Sequence, residues 1–334
     1  MVELKSNELV FSFSEVHPEA RLRINFQRTL RIPDDDSDYP LPPGLGCFPL
    51  KHVDDFRENL PADWIRHGGV MLPMYQSEAM WLDFETSYIS EHDAEFPFAI
   101  KIATGKIDAV TGKQWANHLR RGPQDYLVVP GQPWLDGYCV DKGIIRQFVA
   151  MPLGPGYTAE EQLTGHAEHG GLQIAVYPMK RTSFEKYFPI TDVFAKYSCS
   201  ENNAVCPGSM GLAPGGKMRQ EIYEDQYRLN DWDQEHYSRC FVHIANSIVW
   251  RAITDENPPT VPPTAKEYTA HGLPWYEYYS ENDTALPGGE NLTGIKSVGQ
   301  LATEKGDNPL PENESVNPHQ VIQISKNVVR EGDF

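Results

Sequence analysis

The chain lacks any C-x-x-C pair. Its five cysteines, Cys47, Cys139, Cys199, Cys206 and Cys240, are odd in number, which argues against a zinc knuckle and against a disulfide framework. No apolar run approaches the length that spans a bilayer. The phosphate-cradling patterns G-x-x-x-x-G-K-[ST] and G-x-G-x-x-G are missing, as is the nucleophile elbow G-x-S-x-G. Positive charge is scarce: 29 Lys+Arg against 47 Asp+Glu give a formal net charge of -18. Such a surface repels phosphate backbones and anionic lipid, so neither nucleic acid nor membrane is an expected partner. The opening residues, MVELKSNELVFSFSEV, are charged early and lack the apolar core of a secretion signal. The expectation is a soluble, cytoplasmic protein.

What is present points to strands. Hydrophobic residues make up 40% of the chain and aromatics 11%, enough for a substantial core, while 26 Gly and 27 Pro call for many turns and few long helices. Leu22, Ile24, Phe26, Leu30 and Ile32 alternate with Arg23, Asn25, Gln27 and Arg31, the period-two pattern of a half-buried strand. Further strand-like runs are Leu9–Phe13, Val70–Leu72, Ala79–Phe84, Phe96–Ile102, Lys106–Val110, Tyr126–Val129, Ile144–Met151 and Leu172–Tyr177. Thr104-Gly105 suits a tight hairpin, and Thr158 followed by Glu161 is a capping box opening a short helix. The fold class expected is mainly β, a sandwich or jelly-roll-like domain over residues 1–195. Residues 196–334 read as a C-terminal α/β extension packed on it. Within that extension 197–216 reads as a loop and Met218–Tyr223 as an edge strand. Asp233–Thr254 is the best helix candidate, because Tyr237, Cys240, Phe241, Ile244, Ile248 and Ala252 recur at three and four residues.

Three constellations could carry chemistry. His166 and His169, with Glu161 just upstream, could ligate zinc, iron or manganese between two inner strands. Two exposed loop histidines are the plainer reading. Glu78 and Arg146 could form an acid/base pair with His243, or a buried ion pair joining strands. Arg219 and Glu221 with His243 and Asn246 form the third set, in which His243 could be a base held by a carboxylate or, more plainly, a satisfied structural histidine. Asp34, Asp35, Asp36 and Asp38 form an acid cluster best read as a solvated loop. Trp134, Trp275, Tyr276, Tyr278 and Tyr279 look like exposed aromatics. The favoured function is ligand binding or self-assembly, with an unknown small molecule or protein as partner and a homo-oligomer as one form. The alternative is a metal-dependent enzyme using His166, His169 and Glu161. No motif specifies a cofactor.

The phrases IRQFVAMPLGPGYTAEEQLTG, LPMYQSEAMW and GLPWYEYY resemble an uncharacterised family of soluble bacterial and fungal proteins. The resemblance spans most of the chain. It implies a single cytosolic unit, carries no assigned activity and transfers no catalytic residue.

Overall fold

The structure is a computed structural model, and it describes residues 1–35, 37–190, 210–278, 283–307 and 314–324. The protein is mainly β, with two large sheets facing each other. The first sheet runs in the order Val2–Lys5, Glu8–Ser12, Arg21–Thr29, Ala79–Thr86, Ile144–Met151, Gly211–Arg219 and Asp38–Tyr39. The second runs Ile107–Asp108, Phe98–Thr104, Leu172–Pro178, Ser238–Asn246, Val70–Met74 and Lys51–His52. Among the described residues no helix is long and apolar enough to cross a membrane.

Alternation builds the core. Ile24, Phe26, Leu82, Phe84, Phe148 and Ala150 of the first sheet meet Ile100, Ile102, Ile174, Val176, Val242 and Ile244 of the second in one buried cluster. Period-two side chains on each strand send one set inward, which is how two sheets close over a shared interior. The outward sets are treated differently on the two sheets. On the first, Val149, Met151 and Ala213 are covered by Val298, Leu301 and Ala302 of the Val298–Lys305 helix. Ile145 and Met218 are covered by Tyr268 and Trp275. On the second, Met71 and Ala245 are covered by Trp64 and Trp250. The neighbouring outer positions Gln173, Arg239 and Phe241 line a groove instead.

Several expectations need correction. Ser238–Asn246 is a strand, and the helix is confined to Ser247–Thr254, where the Asn246 side chain accepts from Ile248 N at 2.9 Å. Cys240, Val242 and Ile244 face the core at period two, and their spacing also matches the helical recurrence. Gly211–Arg219 is an interior strand, antiparallel to Ile144–Met151 and parallel to Asp38–Tyr39, so neither the loop through 216 nor an edge strand from Met218 describes it. The rest of the expected loop, 197–209, lies outside the described residues. The boundary at 195/196 does not separate a sandwich from an extension, because Gly211–Arg219 and Ser238–Asn246 supply interior strands of the two sheets. Trp275 is fully buried; Trp134 is half-buried and packs on Tyr278, and Tyr279 lies outside the described residues.

Two glycines let the second sheet close at the groove's end. A Cβ on Gly69 (φ +83) would sit 2.1 Å from the Phe241 carbonyl oxygen, and one on Gly171 (φ +53) 2.4 Å from that of Val242. Both obstacles are backbone, which no rotamer change relieves. Gly69→Ala is expected to cost about 3 kcal/mol or more through strain and clash together. Denaturant unfolding checks this; a midpoint equal to that of the parent protein refutes it.

Candidate ligand-binding groove

The site starts from a two-residue turn. Phe98–Thr104 pairs antiparallel with Ile107–Asp108, and between them Gly105 (φ +53) and Lys106 (φ +60) both take left-handed backbone. That geometry matches the twist of a tight hairpin. Glycine adopts it freely, but for lysine it costs on the order of 1 kcal/mol. Gly105 is also required by space, since a Cβ there would lie 2.3 Å from Glu160 Oε2.

Glu160 belongs to the short helix Ala159–Thr164, whose start carries the expected capping box of Thr158 and Glu161. Its carboxylate is buried and organises the loop that follows. Oε1 accepts from Glu168 N at 3.0 Å and His169 N at 2.9 Å, and Oε2 accepts from Gly170 N at 2.8 Å. Gln173 ties this loop to the hairpin: its Nε2 donates to Gly170 O, and its Oε1 accepts from Lys106 N. Two backbone segments far apart in sequence are thus fixed as facing walls.

Two cavities open there. One, of about 310 Å³, is lined by Lys106, Gln114, Trp115, Glu160, His166 and His169, among others. The second, of about 770 Å³, lies over the outer face of the second sheet and is lined by Arg66, His67, Lys106, Trp115, Asn117 and Arg239, with Gln173, Tyr237, Ser238 and Phe241. Lys106 and Trp115 line both. The rings are braced: His67 stacks on Phe241 (centroids 4.7 Å apart, planes 2° apart), Tyr237 stacks on Tyr177 at 5.1 Å, and Lys101 Nζ lies 5.5 Å from the centre of Trp115.

The electrostatics run against the molecule's overall charge. Arg66, His67, Lys106 and Arg239 converge on the larger cavity, and among the described residues no carboxylate lines it, whereas Glu160 and Glu168 line the smaller one. Arg66 pairs with Asp63, both well exposed. Arg239 donates to Asn117 Oδ1 at 3.3 Å. The Lys106 ammonium has no ion-pair or hydrogen-bond partner among the described residues. His67 is held below its ordinary range by burial first, then by Arg66, Lys106 and His169.

Of the residues singled out in the sequence, His166 and His169 do line a cavity. His166 is exposed; His169 is half-buried, its Nδ1 is buried without a hydrogen-bond partner among the described residues, and its Nε2 is 3.8 Å from the Glu168 carboxylate. Glu161 does not join them. Its oxygens accept from Gly154 N, Gly156 N, Thr158 N and Thr158 Oγ1, which leaves no lone pair directed at a metal. Among the described residues no three His, Cys, Asp or Glu side chains come together as a metal set. Glu78 pairs with Arg28 at 2.7 Å, and not with Arg146; burial pushes Glu78 up while Arg28 pulls it down. Arg146 lies 3.8 Å from Asp34 and donates to Gly215 O. His243 is on the other sheet, where its Nε2 donates to Gly68 O at 3.1 Å and burial lowers it to about 3. Asp34, from the acid cluster, also accepts from Gly299 N at 2.7 Å, so it anchors the Val298–Lys305 helix; Asp36 lies outside the described residues.

No family model, curated protein or solved structure matches the chain. The groove's function therefore has to be argued from its own chemistry. Sequence reasoning missed Lys106, His67, Trp115 and Arg239. The signal for Arg239 and Phe241 was their alternation with Cys240 and Val242, legible once Ser238–Asn246 is taken as a strand.

Proposed function

We propose that this is a ligand-binding protein of the cytoplasm whose groove, around Lys106, holds a small organic anion, most simply a carboxylate. The observation that carries the reading is the Lys106 ammonium. It is unpartnered among the described residues, stands on strained backbone, and lines two cavities, in the larger of which Arg66, His67 and Arg239 join it. Strain of this kind persists where the surroundings over-determine it, and it concentrates at ligand clamps. A molecule with net charge -18 gains nothing in solubility from gathering its few cations in one concavity, whereas an anion site needs them there. The thiols of Cys139 and Cys240 are buried and free, which suits a reducing compartment.

Lys106→Asn separates binding from folding. Asparagine tolerates left-handed backbone better than lysine does, so the variant is expected to melt at or above the parent temperature. Its affinity for carboxylates is expected to drop by about tenfold or more, as befits losing a charge-assisted contact. Calorimetric titration with a panel of mono- and dicarboxylates measures this. The reading fails if no carboxylate binds, or if Lys106→Asn binds as tightly as the parent.

A further inference from the structure

We infer that the natural ligand is an acidic oligosaccharide, a short uronate-type chain, lying across both cavities. This rests on the reading of the groove as an anion site. The two cavities share Lys106 and Trp115 in their lining, so a ligand reaching from one to the other passes a cation and an indole.

The lining matches a sugar chain in kind. Trp115 is fixed in orientation: its Nε1 donates to Asn117 Oδ1 at 2.8 Å, and Lys101 lies against the ring. A braced ring presents a flat apolar face of the sort that the C–H side of a pyranose covers at little entropic cost. Gln114 on the smaller cavity and Asn117 and Ser238 on the larger supply amide and hydroxyl groups for sugar hydroxyls. Lys106 supplies the counter-charge for a ring carboxylate.

The Leu172–Pro178 strand under the groove is paired with Phe98–Thr104 on one side and Ser238–Asn246 on the other, so it offers no edge for an extended peptide to join.

The test is calorimetric titration of the full chain with an oligogalacturonate, with monomeric galacturonate and with a neutral glucan oligomer of the same length. The acidic oligomer is expected to bind about tenfold or more tightly than either of the others. In Trp115→Ala its advantage over the monomer is expected to disappear, with circular dichroism confirming the fold. The parent protein's own oligomer-to-monomer ratio decides the matter even if that variant does not fold. An acidic oligomer no tighter than the monomer overturns the inference while leaving carboxylate binding at Lys106 intact. A neutral oligomer binding equally well overturns the acidic class. Absence of binding by uronates and simple carboxylates alike removes both this inference and the anion reading beneath it.

Discussion

As pH rises from about 4 to about 7, two buried carboxyls are expected to withdraw stability from the fold, and Asp136→Asn should cancel its share of that loss. Asp136 and Asp108 are fully enclosed, and burial pushes each up to about 7, with Asp125 adding to the rise at Asp108. The unfolded chain gives up these protons near the ordinary carboxyl value of 3.8, while the folded chain keeps them until near 7. Their contribution is therefore complete below the unfolded value and is lost as pH climbs through the folded one. His243 works in the opposite direction. Burial lowers it to about 3 from 6.5, so its contribution is present above the unfolded value and is lost as pH falls.

Asparagine is a close isostere of the protonated acid. Asp136 Oδ2 accepts from Gln220 Nε2 at 2.6 Å, and Asp136 N donates to Gln220 Oε1; an amide can keep both bonds. Relative to the parent, Asp136→Asn is expected to gain on the order of 2–4 kcal/mol between about pH 4 and about pH 8, the value of holding one carboxyl's proton across that interval. Urea unfolding at the two ends of the range gives the difference of differences, from which the other titrating groups drop out. A gap between the two proteins that does not change with pH would show that Asp136 is ionised in the fold throughout. Asp108 makes a less clean variant, because its Oδ2 has no hydrogen-bond partner among the described residues and an amide there would bury two unmet donors.

The sheets were legible wherever one face met the core and the other did not. Ile144–Met151, Leu172–Tyr177 and the Gly105 turn follow from period and turn chemistry alone, and so does the Thr158/Glu161 cap. Ser238–Asn246 was ambiguous because both of its faces are apolar in part. Phe241 faces the groove as Cys240 and Val242 face the core, and such a strand reads like a helix segment. The candidate site was half visible. His166 and His169, singled out as metal ligands, line the smaller cavity, but the cations of the groove were not singled out, for a reason of distance. Whether Glu160 or Glu161 is spent on backbone donors depends on loops that local sequence does not align. Both turn out to be spent. Lys106 was passed over as a strand residue, since nothing in the local sequence announces that a lysine takes the second left-handed place of the turn. The Glu78–Arg146 pairing failed because Arg28 on the neighbouring strand reaches Glu78 first.

Glu160→Gln is expected to unfasten the groove's wall and to be among the most damaging single-atom changes in the protein. The carboxylate meets three backbone donors, at Glu168, His169 and Gly170, and it packs against Gly105 where no Cβ could stand. An amide retains one acceptor oxygen. Whichever way it is turned, its NH2 group faces at least one of those backbone N–H groups, setting donor against donor inside the protein. Leaving a buried donor unmet costs about 1–3 kcal/mol, and more when the lost partner was charged. A total of roughly 3–4 kcal/mol follows, concentrated locally because the loop has little apolar anchoring of its own. Hydrogen exchange should report it directly: the amides of Glu168, His169 and Gly170 should exchange far faster in the variant, while those of the Leu172–Pro178 strand should quicken by no more than the change in global stability allows. Carboxylate binding at Lys106 should weaken too, since Gln173 joins the hairpin to that same loop through Gly170. Unchanged protection at the three amides would mean that the loop is held by something other than this carboxylate, and the account of how the groove is built would then be wrong at its foundation.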